Sequence, residues 1–152
     1  MSHRSVIPIE IRRAFPGDAG AIAELSRQLG YPATREEIAA RVEALAASSL
    51  DAVFVAARGA GERVIGWLHV FGRTMIESAP YAEIGGLVVD ESERGRGVGR
   101  ALVAQAESWA SEHGYKTIRV RSNVVREDAH RFYAARSYRM TKQQGVFVKD
   151  LS

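Results

Sequence analysis

Residues 94–100 read Arg-Gly-Arg-Gly-Val-Gly-Arg, three glycines at alternate positions interleaved with three arginines. Glycines at this density leave the backbone N–H groups open to close approach by a ligand. The run opens a helix, whose first N–H groups lack intrahelical partners and lie at the positive end of the helix dipole, an arrangement that attracts phosphate. Arg94, Arg96 and Arg100 add full positive charge at the same place. The chemistry this suits is the holding of a pyrophosphate.

Spacing decides which kind of pyrophosphate loop this is. A dinucleotide fingerprint needs G-x-G-x-x-G, but Gly95-x-Gly97 is followed by Arg100 and Gly97-x-Gly99 by Leu102. The turn also falls too late in the chain for a Rossmann half to follow it. A Walker A loop needs Lys-Ser or Lys-Thr after its last glycine, and neither follows here. What remains is Q/R-x-x-G-x-G/A, written Arg94-Gly95-Arg96-Gly97-Val98-Gly99. This resembles the acetyl-CoA loop of the GNAT superfamily of N-acetyltransferases. The resemblance implies acetyl-CoA as acetyl donor, its pyrophosphate held by Arg94, Gly95, Arg96, Gly97, Val98, Gly99 and Arg100.

The flanks extend the likeness. Gly85-Gly86 interrupts the β-rich run Tyr81 to Val89, and glycine inside a strand marks a bulge or a close backbone approach. In the family, two parallel strands splay at such a bulge to admit the pantetheine arm. Residues 129–138 resemble the second family signature, A-x-x-F-Y-x-x-x-G-F/Y, with Ser137 where the family has glycine. The likeness covers roughly residues 6–150, and its specific motifs lie within 83–138.

Acetyl transfer to an amine needs a neutral amine, a stabilised oxyanion and a protonated leaving thiolate. A primary amine with a pKa near 10.4 is only about one part in 2,500 neutral at pH 7, so a proton acceptor is required. The resemblance implies Glu83, the carboxylate embedded in the fourth strand, as that base; the plainer alternative is a strand residue paired with an arginine. It implies Tyr133 as the acid, since a phenol stays protonated at neutral pH and can donate to a thiolate; the alternative is a packing tyrosine beside Phe132. The backbone N–H of Leu87 would meet the oxyanion, Val88 and Val89 would pair the pantetheine amides like an added strand, and Asn123 would hold another amide. Asn123 alternatively ends a strand as a turn residue. His130 reads as a capping or packing residue, and His3, His69 and His113 form no metal spacing with it, so no metal is expected.

Composition narrows the classes. The sequence has 152 residues, enough for one domain spanning 1–152, and no cysteine, which removes disulfides, thiolate metal sites and a Cys nucleophile. Residues 1–93 carry 9 basic and 13 acidic side chains, whereas residues 94–152 carry 12 and 5, so the second part is suited to a polyanionic partner. Coenzyme A is one such partner. Nucleic acid is the other, but no helix-turn-helix or zinc-finger spacing supports it. No signal-peptide run and no long apolar stretch is present, so a cytoplasmic protein without membrane contact is expected.

These residues must be positioned by an α+β fold. Ile7, Ile9 and Ile11 alternate as a first strand, Asp18 reads as the N-cap of a helix through Leu29 that stops at Gly30, and the capping box Thr34-x-x-Glu37 starts a second helix with Ile38, Val42 and Leu45 as its apolar stripe. Strands follow over Ala52–Arg58, Val64–Arg73 and Tyr81–Val89. A helix after the glycine loop ends at Gly114, Thr117–Val120 is a strand, Arg126–Arg136 is helical, and two short closing strands flank Gln143-Gln144-Gly145. The resemblance implies a GNAT fold: a mixed, twisted sheet of six to seven strands with about four helices, splayed between strands 4 and 5. The expected substrate is a small-molecule amine attacked directly in a ternary complex. Protein lysine or N-terminal acetylation and a non-catalytic acyl-CoA sensor are the other readings. A homodimer is compatible with all of them, and the sequence does not fix the assembly or the amine.

Overall fold

The computed structural model describes residues 8–59, 63–121 and 127–152. They divide into two compact units, residues 1–120 and 121–152.

The first unit runs β1 (Ile9–Arg13), α1 (Ala19–Leu29), α2 (Arg35–Ala46), β2 (Asp51–Arg58), β3 (Arg63–Arg73), β4 (Tyr81–Val89), α3 (Val98–Glu112) and β5 (Ile118–Val120). The strands form one sheet in that order. The first three pairings are antiparallel and β4–β5 is parallel, so the sheet is mixed. Helices cover both of its faces. Val55 and Trp67 are register partners and pack with Ala19, Ile22, Ile38 and Val42 of α1 and α2. Gly66, one residue from Trp67 and so on the opposite face, lies against Val98 and Leu102 of α3. Each fully buried Ile or Leu in these layers contributes about 1.5–3 kcal/mol.

Local chemistry sets the helix ends. Thr34 Oγ1 accepts from the Glu37 N–H and Glu37 reaches back to the Thr34 N–H, the full capping box. Asp18 stands at the N-cap position of α1, but its carboxylate is engaged elsewhere: Arg12 donates to both oxygens at 2.8 and 2.9 Å and the Phe15 N–H donates at 3.0 Å. Burial opposes the charge, yet these donors hold the Asp18 carboxyl below its usual range. Helices α1 and α3 end in the same motif, with Gly30 and Gly114 in the left-handed region and Tyr31 and Tyr115 donating back across the last turn to Ser26 and Ala110.

The second unit contains α4 (Glu127–Ala134). It closes with the same motif: the Ser137 N–H donates to the Ala134 carbonyl and the Tyr138 N–H to the Tyr133 carbonyl, with Ser137 at φ 69°. Serine occupies the position that glycine fills in the other two helices. The expected closing strands do not form. Residues 139–152 carry no strand, and Val146, Phe147, Val148 and Leu151 are exposed. Alternating apolar residues make a strand only where a ladder partner satisfies the backbone, and none pairs with this segment among the described residues. The sheet therefore has five strands among the described residues rather than six to seven.

Candidate active site

The loop after β4 is built before its glycines are reached. Asp90 Oδ1 accepts from the Ser92 N–H at 2.9 Å and from its hydroxyl at 2.8 Å, forming a tight turn. The Ser92 N–H and then its hydroxyl hold the Asp90 carboxyl below the usual carboxylate range. The Asp90 N–H donates to the Ile65 carbonyl, the Glu91 N–H donates to the Gln28 side chain, and buried Glu93 faces Arg58 at 3.3 Å. Three neighbouring elements thus fix the turn.

Gly95 (φ 79°) and Gly97 (φ 85°) then take left-handed conformations that other residues adopt only under strain. Gly97 is the N-cap of α3 and has no side chain to cap it. The first intrahelical bond runs from Ala101 N–H to Gly97 carbonyl, so the N–H groups of Val98, Gly99 and Arg100 have no partner within the helix. Val98 is buried and anchors the first turn, while Arg94, Gly95, Arg96, Gly97 and Arg100 are exposed. Open backbone donors, a helix N-terminus and three cations at one exposed spot fit a pyrophosphate.

The bulge is also present. His69 pairs with Gly86 and Val70 with Ile84, which leaves Gly85 as the extra residue of β4. Both glycines are required by neighbours on β3. A Cβ on Gly86 would stand 2.7 Å from the Trp67 ring, and one on Gly85 would stand 2.7 Å from Phe71 Cε1 and 3.3 Å from His69 Nδ1. Leu87, Val88 and Val89 continue in register with Leu68, Trp67 and Gly66. The parallel contact with β5 covers Ala82 to Ile84 and stops one residue before the bulge.

Glu83 is 5% exposed and lies with Tyr81, Phe71 and Arg73 on the same sheet face, with Arg73 Nη1 3.8 Å from its Oε2. The loop, the bulge and Glu83 are thus brought onto one strand–loop–helix segment. Tyr133 belongs to the second unit, where it is half-buried against the Phe132 and Tyr138 rings. Asn123 lies outside the described residues. Arg27 is held bidentately by Glu24, while Arg73 stands beside Glu83.

Sequence reasoning missed the polar pair His69–Asp51, whose Nε2 and Oδ1 lie 2.7 Å apart on the face that carries Phe71. The signal available was the alternation Trp67-x-His69-x-Phe71, which puts three aromatic side chains on one face. No group of residues that could hold a metal ion occurs among the described residues.

Residues 21–138 match the Acetyltransferase (GNAT) family. The chain is 32% identical over 145 residues to an aminoglycoside N(6')-acetyltransferase type 1 of Stenotrophomonas maltophilia, covering 93% of each protein. It is 29% identical over 143 residues to an aminoalkylphosphonate N-acetyltransferase of Salmonella typhimurium, covering 90% of this chain and 89% of that one. In fold it is similar to the aminoglycoside N-acetyltransferase AAC(6')-Iy in complex with CoA, with a TM-score of 0.85 and 20% identity over 99% of this chain and 100% of that one. With its glycine loop, bulged fourth strand and mixed sheet, this chain belongs to the GNAT family of acetyltransferases and is an acetyl-CoA-dependent acyltransferase.

Proposed function

We propose that the chain is one N-acetyltransferase domain, acting in the cytoplasm, that moves an acetyl group from acetyl-CoA to the primary amine of a small molecule by direct attack in a ternary complex. The observation that carries the reading is Glu83: a buried carboxylate two residues before the bulge, on the strand that runs into the pyrophosphate loop. The family match spans both compact units, which supports a single domain. The relatives' names, an aminoglycoside and an aminoalkylphosphonate acetyltransferase, support a small amine as acceptor.

Acetyl-CoA supplies an activated acyl group as a thioester. The chain's residues do the rest. Arg94, Arg96, Arg100 and the N–H groups of residues 95–100 hold the pyrophosphate. Val88 and Val89 pair the pantetheine arm as a strand edge, with Asn123 completing its amide contacts, and the Leu87 N–H receives the developing oxyanion. Glu83 takes a proton from the ammonium of the acceptor, and Tyr133 gives one to the leaving sulfur. Arg73, beside Glu83, is the cation placed to meet an anionic acceptor group.

Thiol release from acetyl-CoA, measured with aminoalkylphosphonates, polyamines, aminoglycosides and lysine peptides, tests this reading. A small amine should give the highest kcat/KM, and a clear preference for peptide would overturn the small-molecule acceptor. Glu83→Gln should lower turnover most at neutral pH and recover as the amine deprotonates unaided, whereas Tyr133→Phe should not recover. Parallel pH profiles would refute that division of roles.

A further inference from the structure

The stoichiometry of amine acetylation exposes a task that Glu83 does not complete. An acceptor R–NH3+ becomes an amide R–NH–CO–CH3, so two protons leave the nitrogen in each turnover. One is lost before attack, when the nitrogen lone pair is freed. The other is lost as the C–N bond forms and the nitrogen becomes strongly acidic. A carboxylate that has taken the first is neutral and cannot take the second until it is emptied. A second proton acceptor on the acceptor side of the sheet meets that need.

Such a group is present. Asp51 opens β2, and one carboxylate oxygen accepts from the Ser48 hydroxyl at 2.7 Å while the other lies 2.7 Å from His69 Nε2. An ionised carboxylate only accepts hydrogen bonds, so an imidazole that is neutral in this contact carries its proton on Nε2 and its lone pair on Nδ1. That Nδ1 lies at the β4 bulge, 3.3 Å from the point where a Cβ on Gly85 would stand, and glycine puts no side chain against it. Phe71 packs against the imidazole at 5.1 Å between ring centroids, and Phe71 is the register partner of Glu83. His69 is 24% exposed on its side chain, which gives a proton a way out to solvent. A carboxylate that holds one imidazole nitrogen leaves the other to accept a proton, and the Ser48 hydroxyl fixes that carboxylate.

We propose that His69 is a second catalytic proton acceptor, taking the proton released at the acceptor nitrogen as the C–N bond forms, with Asp51 as its positioning residue. The N–H bond of the acylated nitrogen breaks, its electron pair stays on nitrogen, and the proton joins Nδ1. The imidazolium is held against the Asp51 carboxylate and then releases its proton to water. Tyr133 gives its proton to sulfur and regains one from solvent, while Glu83 and His69 each release theirs to solvent, so the net products are amide, free thiol and one proton.

The proposal rests on the acetyl-transfer reading, and its test separates the two. Thiol release is measured with the best amine for the unaltered chain, His69→Gln, His69→Ala and Asp51→Asn. Glutamine keeps a donor for Asp51 but offers no proton acceptor, so kcat should fall by about 10²-fold, with the Kd for acetyl-CoA measured by calorimetry unchanged. Asp51→Asn can donate to Nε2 and so move the imidazole proton to Nδ1; it should lower kcat comparably without touching the acceptor. Added imidazole should restore turnover to His69→Ala but not to Glu83→Gln, a response that a merely structural histidine would not give. If His69→Gln raises KM with kcat unchanged, or leaves both unchanged and imidazole rescues nothing, the inference is overturned while acetyl transfer stands. If the unaltered chain releases thiol with no amine, both fall.

Discussion

Two pairs of glycines flank the same eight residues of strand and loop, 87–94, and they are glycines for opposite reasons. Gly95 and Gly97 have left-handed φ and nothing within 4 Å of where a Cβ would point, so only conformation demands them. Gly85 and Gly86 have no positive φ, yet a Cβ on either would strike the Phe71 or Trp67 ring at 2.7 Å, so only space demands them. The first pair presents bare N–H groups to a ligand from outside. The second lets the Trp67, His69 and Phe71 side chains of β3 come close to the β4 backbone. A run of glycines in a sequence therefore does not name its cause, and the cause predicts different responses to substitution.

The largest expected effect is at Gly97. Replacement by Glu puts a carboxylate at the helix N-terminus where we propose the pyrophosphate binds, and like-charge repulsion of about 1 to 4 kcal/mol at contact distance should weaken acetyl-CoA binding by about 10²-fold. Calorimetry on the folded variant checks it, and unchanged affinity would remove the loop from the cofactor site. Gly85→Ala should be next, destabilising by about 1–3 kcal/mol through overpacking against Phe71. A double-mutant cycle with Phe71→Ala should show strong coupling, because truncating the ring relieves the clash. Gly97→Ala, in contrast, should show no coupling to Phe71→Ala, since its strain of about 1–2 kcal/mol is in its own backbone. Equal coupling in both cycles would erase the distinction drawn between the two pairs.

Ser137 extends the comparison to a third case. It holds φ 69° where α1 and α3 use Gly30 and Gly114, so Ser137→Gly should relieve about 1 kcal/mol. Amide exchange over residues 133–138 should slow correspondingly. The smallest effect concerns pH. The Asp90 carboxyl is held below its unfolded value, so its contribution is present above the unfolded pKa near 3.9 and is lost as pH falls through the folded one. Acid titration of Asp90→Asn should lack that part of the stability loss below about pH 4.

Much of this was legible in the residues. Thr34 and Glu37 announced their capping box, Gly30 and Gly114 their helix ends, and Gly85-Gly86 the bulge, because each is decided within a few residues of chain. The substitution at Ser137 marked a position that does need a left-handed residue. Two features turn on a partner distant in the chain. Two short closing strands were expected on either side of Gln143-Gln144-Gly145, but a strand is a property of a pair. The Asp51–His69 contact joins side chains 18 residues apart, and only the antiparallel register of β2 and β3 brings them to one face. Asp18 has the right type and place for a cap, and was taken instead by an arginine six residues earlier.

The tethers beneath the pyrophosphate loop have a kinetic consequence. Asp90 is tied to Ile65 of β3, Glu91 to Gln28 of α1 and Glu93 to Arg58 of β2, so the turn that precedes Gly95 is shaped before any ligand arrives. A loop that must first be ordered binds at a rate reduced by the fraction of time it is competent, and its observed rate saturates as ligand is raised. A loop already in place accepts its ligand at each well-oriented encounter. With the pyrophosphate held there as proposed, capture of the nucleotide end should proceed in a single step whose rate rises in proportion to concentration, and differences in affinity among acyl donors should be carried by how long each stays.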